Sequence, residues 1–374
     1  MKASILISLS LISQLLLYSC SHPVGEQAQR SFSLSKSEVA LDHGNLLLNN
    51  RSFFKKIVGL DSMLLFDGNS LQFVLYDLKS KKQILTISTP REGPDFFDFP
   101  FMDVEIEGNT LYVLSKSFFS TYNISGKNLV RFGTNEIHSS KSNYMTFNFR
   151  LVRNDSVLFN RVPNQAVYGR KTSTLVDSTI YFSFNINSGS HSKINVVSPP
   201  ETLLSDDSRG YFQDFSFHSF IIQNDSIIYN YPFTSKTFIY DNANNKHSTK
   251  QNNSALVTNM RKTAKPEIIP TSDWVKYLYT GPKYSSMTRD EKTNNFVRVG
   301  AEFQLQPDGS MFNSKYLMIF DNNLNMIEEF ELDVRIMEPP LVTNGKIYLM
   351  KTDQSKENAY EFLVYEMKSN KELR

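Results

Sequence analysis

Residues 101–134 read FMDVEIEGNTLYVLSKSFFSTYNISGKNLVRFGT, and this stretch decides the fold. Apolar and polar residues alternate in four short runs: Met102–Ile106, Leu111–Ser115, Phe119–Ile124 and Leu129–Phe132. Alternation with a period of two marks half-buried antiparallel strands, whose successive side chains face opposite sides of a sheet. Glu107-Gly108-Asn109 and Ser125-Gly126-Lys127 supply the turns, since Gly and Asn tolerate positive φ and Asn bonds its own backbone. The stretch therefore reads as a four-stranded antiparallel unit.

The same phrase recurs along the chain. A turn residue or pair precedes an apolar run at Asp61-Ser62 (before Met63–Phe66), Asn109-Thr110 (before Leu111–Leu114) and Asn154-Asp155-Ser156 (before Val157–Phe159). The same holds at Asn224-Asp225-Ser226 (before Ile227–Tyr229), Asn294-Asn295 (before Phe296-Val297) and Asn344-Gly345-Lys346 (before Ile347–Leu349). An aromatic-rich strand follows each: Phe73–Leu78, Ser120–Ile124, Phe238–Asp241, Leu317–Asp321 and Phe362–Glu366, with Ile180–Asn185 a degenerate copy in the third unit. Leu64 and Leu111 lie 47 residues apart, and Leu111 and Val157 lie 46 apart. That period fits a four-stranded propeller blade of about 40–50 residues. The expected fold is all-β, a β-propeller of six blades, or seven if 39–55 forms more than one closing strand. A β-sandwich or two smaller β domains would also use such strands, but neither repeats a four-strand phrase six times.

Twenty-nine Phe and 18 Tyr in 374 residues can fill a large core. With 40 Lys+Arg against 38 Asp+Glu and no long basic block, the chain offers nucleic acid no electrostatic footprint. Lys2 followed by the apolar Ile5–Tyr18 reads as a targeting segment, too short to span a membrane comfortably. It ends in Leu17-Tyr18-Ser19-Cys20, which resembles a bacterial lipobox, with Cys20 the single cysteine of the chain. The expected organisation is a lipoprotein signal peptide over 1–19, a lipid-anchored tether over 20–36 and the propeller over 37–374. Val39–Leu48 is expected to close the ring by pairing with the strands of 340–368. By resemblance to lipoprotein sorting signals, Ser21 in place of Asp and the near absence of acid in Ser21–Arg30 point to the outer membrane, facing the periplasm ahead of the cell surface.

Between the first two units lies Thr89-Pro90-Arg91-Glu92-Gly93-Pro94-Asp95-Phe96-Phe97, where Gly and Pro force an irregular crossing. This Gly-Pro-acid-Phe phrase resembles one found in Bacteroidetes six-bladed, TolB-like propeller lipoproteins. The length, the lipobox and a later phrase, Tyr284–Asp290 with Phe296–Arg298, are similar to those of domain-of-unknown-function family 4221. The resemblance implies the fold and the anchor and carries no activity.

Two units are stretched, with Val157 to Ile227 spanning 70 residues and Ile227 to Phe296 spanning 69. The extra residues fall near Arg161–Val176 and Gln251–Lys283. The second insertion suggests a helix over Ser254–Lys265 and another capped by Thr271 or Ser272, and it brings Trp274, Tyr277, Tyr279 and Tyr284. Long loops on a rigid scaffold are where binding residues tend to sit.

No Gly-x-Ser-x-Gly elbow, P-loop or dinucleotide fingerprint occurs, and six scattered histidines form no metal-ligand spacing. No metal and no cofactor is expected. Asp241–Asn245 and Asp321–Asn325 have the oxygens for calcium but lack the glycine and terminal Glu of the helix–loop–helix site, and they read as turns. The candidate ligand-binding residues are those at unit starts and crossings: Arg91 and Glu92 in the first crossing, Arg150 with Arg153 at the third unit, Arg289 and Arg298 in the fifth, and Trp274 from the insertion. An Arg fork suits a carboxylate, phosphate or sugar acid, and it equally suits a strut between blades. The expected function is a lipid-anchored, monomeric binding module for a glycan, peptide or partner protein. A hydrolase or lyase acting on polysaccharide and a scaffold subunit of an envelope complex are the alternatives. Cys20→Ala should abolish acyl labelling in the native host and leave an unprocessed precursor; continued lipidation of this variant would refute the lipobox.

Overall fold

The computed structural model describes residues 32–42, 53–67, 71–137, 144–153, 155–160, 162–163, 179–197, 218–258, 281–306, 311–355 and 359–369. They divide into two units. The smaller gathers 32–35 and 366–369, and the larger, 36–365, holds the propeller. The signal peptide, Cys20, most of the tether and Trp274 lie outside the described residues.

Six antiparallel sheets of four or five strands make six blades. Blade 1 runs from its inner strand Phe53–Val58 through Ser62–Asp67 and Gln72–Asp77 to Lys82–Ser88. Blade 2 is Phe101–Glu107, Thr110–Ser115, Phe118–Asn123 and Asn128–Gly133, each within one or two residues of the run read from sequence. Blade 3 starts at Phe149–Arg153 and blade 4 at Ser219–Gln223. The inner strand of blade 5 is broken into Gly281–Tyr284 and Thr288–Arg289, which pair in turn with one long strand, Phe296–Leu305. Every turn marker read from the sequence joins an inner strand to the second strand of its blade. Asn224, Asn294, Asn344 and Gly108 take φ between +53° and +59° there, the left-handed conformation such short turns require.

Both faces of a blade are buried, which explains why the second strands read as unbroken apolar runs. In Ser62–Asp67, Met63 and Leu65 pack toward blade 6 with Leu341, Met350 and Phe362, while Leu64 and Phe66 pack toward blade 2 with Val104 and Leu111. In Thr110–Ser115, Leu111 and Val113 join the seam with blade 1, and Tyr112 and Leu114 join Phe149 and Phe159 of blade 3.

Blade 6 is built from both ends of the chain. Its order is Ile336–Thr343, Lys346–Lys351, Ala359–Ser369 and, outermost, Phe32–Asp42. The closing strand is thus the expected one, but it begins at Phe32, inside the stretch read as tether, and stops at Asp42. One closing strand and six such sheets set the count at six blades. Leu41 is fully buried in the seam of blades 6 and 1.

The Gly-Pro-acid-Phe crossing is pinned to blade 2. Phe97 is buried and stacks on Tyr122 at 3.8 Å between ring centroids, and the Tyr122 hydroxyl donates to the Phe96 carbonyl. Arg131 lies 3.9 Å above the Phe96 ring. Asp95 and Asp98 accept backbone N–H groups of Asn128 and Ser117, so both hold the crossing in place. The suggested helix over Ser254–Lys265 is not formed in its described part. Ser254 Oγ accepts the Val257 N–H in an irregular bend, and Val257 drops into the seam of blades 4 and 5. No helix among the described residues is long and apolar enough to cross a membrane.

Removing Lys36–Asp42 would strip the outer strand from blade 6 and expose an unpaired sheet edge. Lost burial of Leu41 and Val39 amounts to several kcal/mol at about 25 cal/mol per Å². A fall of the melting temperature by about 10 °C or more, or aggregation, is expected; an unchanged melt would show that the ring closes without this strand.

Candidate functional site

The inner strands surround a central channel of about 530 Å³, and all six blades contribute to its wall. Its charged lining comprises Lys55 and Lys56 of blade 1, Asp103 of blade 2, Arg150 of blade 3, Arg289 and Glu291 of blade 5 and Glu338 of blade 6.

One cluster spans three blades. Lys56 Nζ lies 2.7 Å from Glu105 Oε1 and 3.4 Å from Asp103 Oδ1, and Arg150 lies 3.0 Å from Asp103 Oδ2. Backbone N–H groups complete it: Phe149 and Val104 donate to Asp103, and Leu151 donates to Glu105. Both oxygens of each carboxylate are engaged by cations or N–H groups. Arg150 also lies 5.5 Å from the centroid of the Phe220 ring of blade 4, so it links blades 2, 3 and 4 while edging the channel.

Alternation along Phe53–Val58 sends Lys55 the other way, to blade 6. Its Nζ donates to the carbonyls of Met337 and Pro339 at 2.5 and 2.7 Å, with no carboxylate in ion-pair range among the described residues. Burial pushes its pKa down to about 7, against the weaker opposing pull of Glu338. Arg289 donates to Asn294 Oδ1, while its buried Nε–H has no hydrogen-bond partner among the described residues.

Arg298 departs from the expectation of a ligand-facing arginine. It is fully buried, with Nε donating to the Ser285 carbonyl, Nη1 to that of Thr234 and Nη2 to that of Tyr231, and the Tyr284 ring 4.6 Å from its guanidinium carbon. It joins blade 5 to the segment that follows the second strand of blade 4. Carbonyl dipoles rather than a buried acid hold it, and desolvation lowers its pKa to about 9, leaving a cation at neutral pH. Tyr284 donates its hydroxyl to the Thr258 carbonyl, so it is core and not a stacking platform. Arg91 and Glu92 are exposed on the first crossing, outside the channel wall. Of the candidates read from the sequence, the channel brings together Arg150 and Arg289. Asp241 and Asp321 each accept two N–H groups of their own turns, as expected of turn residues. Among the described residues, no group of three or more His, Cys, Asp or Glu is placed to hold a metal ion.

The family model described as Domain of unknown function (DUF4221) matches residues 31–331. The chain belongs to the DUF4221 family. A crystal structure of a DUF4221 member from Bacteroides vulgatus is 13% identical, with a TM-score of 0.68 over 91% of this chain and 99% of that one. A luciferin-regenerating enzyme (9% identity, TM-score 0.45) and the calcium-binding protein regucalcin from Agrobacterium tumefaciens (9%, 0.47) each align over 89% of this chain and 95% of their own. No curated protein matches the sequence.

The phrase that carried the DUF4221 resemblance, Tyr284 to Arg298, is a structural clamp. Besides the Arg298–Tyr284 contact, Asp290 is fully buried and accepts the Gly345 N–H of blade 6. Lys55, Lys56, Asp103 and Glu105 escape the sequence reading, although each stands on the strand just before a turn marker, as Arg150 does. Aligning the units on those markers puts all five on inner strands. Arg298→Met should strand several buried carbonyls, each costing about 1–3 kcal/mol, and lower the melting temperature by about 10 °C; an unaltered melt would refute its role as a strut.

Proposed function

We propose that this DUF4221 protein is a lipid-anchored, non-catalytic binding module of the cell envelope whose channel takes a small anionic ligand, such as a carboxylate or sugar acid. The observation that carries this reading is the imbalance of unused groups in the channel wall. Asp103 and Glu105 are saturated by cations and N–H groups, whereas, among the described residues, the buried Arg289 Nε–H has no partner. Donors left over in a partly desolvated cavity favour an incoming acceptor, above all a charged one. A volume of about 530 Å³ suits a small molecule or the end of a chain rather than a protein surface. The anchor at Cys20 and a periplasm-facing address belong to the same proposal.

Titration calorimetry of the soluble domain against monosaccharide acids and small dicarboxylates, with their neutral amides as controls, tests it. Acids should bind and amides should not. Arg289→Gln should weaken binding about 10- to 150-fold, the value of one charge-assisted hydrogen bond of about 1.5–3 kcal/mol, while moving the melt by no more than about a degree or two. Equal binding of acids and amides, or none at all, would refute the anionic ligand.

A further inference from the structure

Lys55 differs from the other lysines in the wall and seams of the ring. Lys56 is paired to Glu105, Lys315 to Glu338 at 3.0 Å and Lys351 to Glu38 at 2.7 Å. Lys55 is 8% exposed, and its amine is held by two carbonyls alone among the described residues. A neutral amine has two N–H groups and one lone pair. The carbonyls of Met337 and Pro339 match the two N–H groups, which leaves the lone pair unused beside the channel that Lys55 lines. An ammonium in the same place would carry a third N–H for which the described residues provide no acceptor. Of the charged groups whose fields reach it, Glu338 raises its pKa and Lys315, paired to Glu338, lowers it by less; desolvation outweighs both.

We propose that the Lys55 amine captures small aldehydes or ketones entering the channel, as an imine. The step rests on the reading that small molecules reach the channel. The nitrogen lone pair attacks the carbonyl carbon, and the carbonyl π pair moves to oxygen, which takes up the proton that nitrogen gives up. Loss of that hydroxyl with a second proton, as water, leaves the C=N bond. An amine and a carbonyl give an imine and one water, with no oxidant or reductant. Desolvation is a known means of arming a lysine for this chemistry, because only the neutral amine attacks. The depressed pKa of about 7 agrees with the geometry, as the neutral fraction rises through pH 7 instead of near 10.5.

The test uses the soluble domain with glycolaldehyde or glyoxylate, cyanoborohydride to reduce any imine, and peptide mass spectrometry to place the label. At pH 7, Lys55 should be alkylated at least about tenfold faster than exposed lysines, with a rate that rises with pH and levels off above about 8. The exposed lysines should still be climbing at about pH 9. Lys55→Arg should remove the fast label and leave the others unchanged. Modification of Lys55 no faster than that of surface lysines, or a rate that tracks theirs with pH, would overturn the proposal. Because the label is mapped on the unaltered chain, that outcome does not depend on the variant folding. Faster labelling by anionic glyoxylate than by neutral glycolaldehyde would support the amine site together with the anionic-ligand reading. Equal fast labelling by both would support the amine site and remove the anion.

Discussion

Each blade of the ring has to be buried on both faces at once. A sheet in such a position has no solvated side on which to place polar residues, so its second strand is apolar at successive positions and divides them between two seams. Met63 and Leu65 serve one seam, Leu64 and Phe66 the other. Near the axis the blades crowd together, and the inner strands carry the polar residues of the interior. These must find partners across a seam, because a buried charge without one costs several kcal/mol. Lys55 reaches blade 6, and Lys56 and Arg150 reach blade 2. The polar groups around the channel are first of all the ties of the ring.

Closure follows from the same demand. Blade 6 takes its outermost strand from the N-terminal side of the chain, which covers the edge that the last strand would otherwise expose. The ion pairs beside that strand, Lys36–Asp333 and Lys351–Glu38, involve exposed carboxylates and add little stability. The buried Leu41, set among Tyr76, Tyr360 and Phe362, contributes far more to holding the strand. The Tyr284–Arg298 clamp has a similar logic: one guanidinium gathers carbonyls from turns that no strand could pair.

Where the ties of the ring are complete, the chemistry of the side chains is spent. Asp103 and Glu105 have their oxygens engaged by cations and N–H groups. Where the ties are incomplete, at Arg289 and Lys55, a capacity to bind or react remains. Satisfied and unsatisfied groups thus share one channel, and the proposed binding there rests on this contrast, not on likeness to propellers of known activity.

The six-fold phrase, its turns and its period were legible in the sequence because they are local: alternation with a period of two and Asn or Gly at positive φ are properties of a few consecutive residues. The six repeats and the strand boundaries of the second blade followed from them, while the closing strand, read at Val39–Leu48, lies at Phe32–Asp42. The part played by a side chain across a seam was not legible, since it depends on residues up to 284 positions away, brought together by ring closure. Arg150 and Arg298 both lie near the start of a unit, but Arg150 precedes its turn marker and Arg298 follows its own. One stands on an inner strand and edges the channel; the other stands on a second strand and is wholly buried. A single strand's displacement from the axis decides which arginine meets solvent; the partners each one finds there are set by the packed ring. The same holds for Lys55 and Lys56, adjacent in sequence and sent by the pleat into opposite seams, one to two carbonyls and the other to two carboxylates.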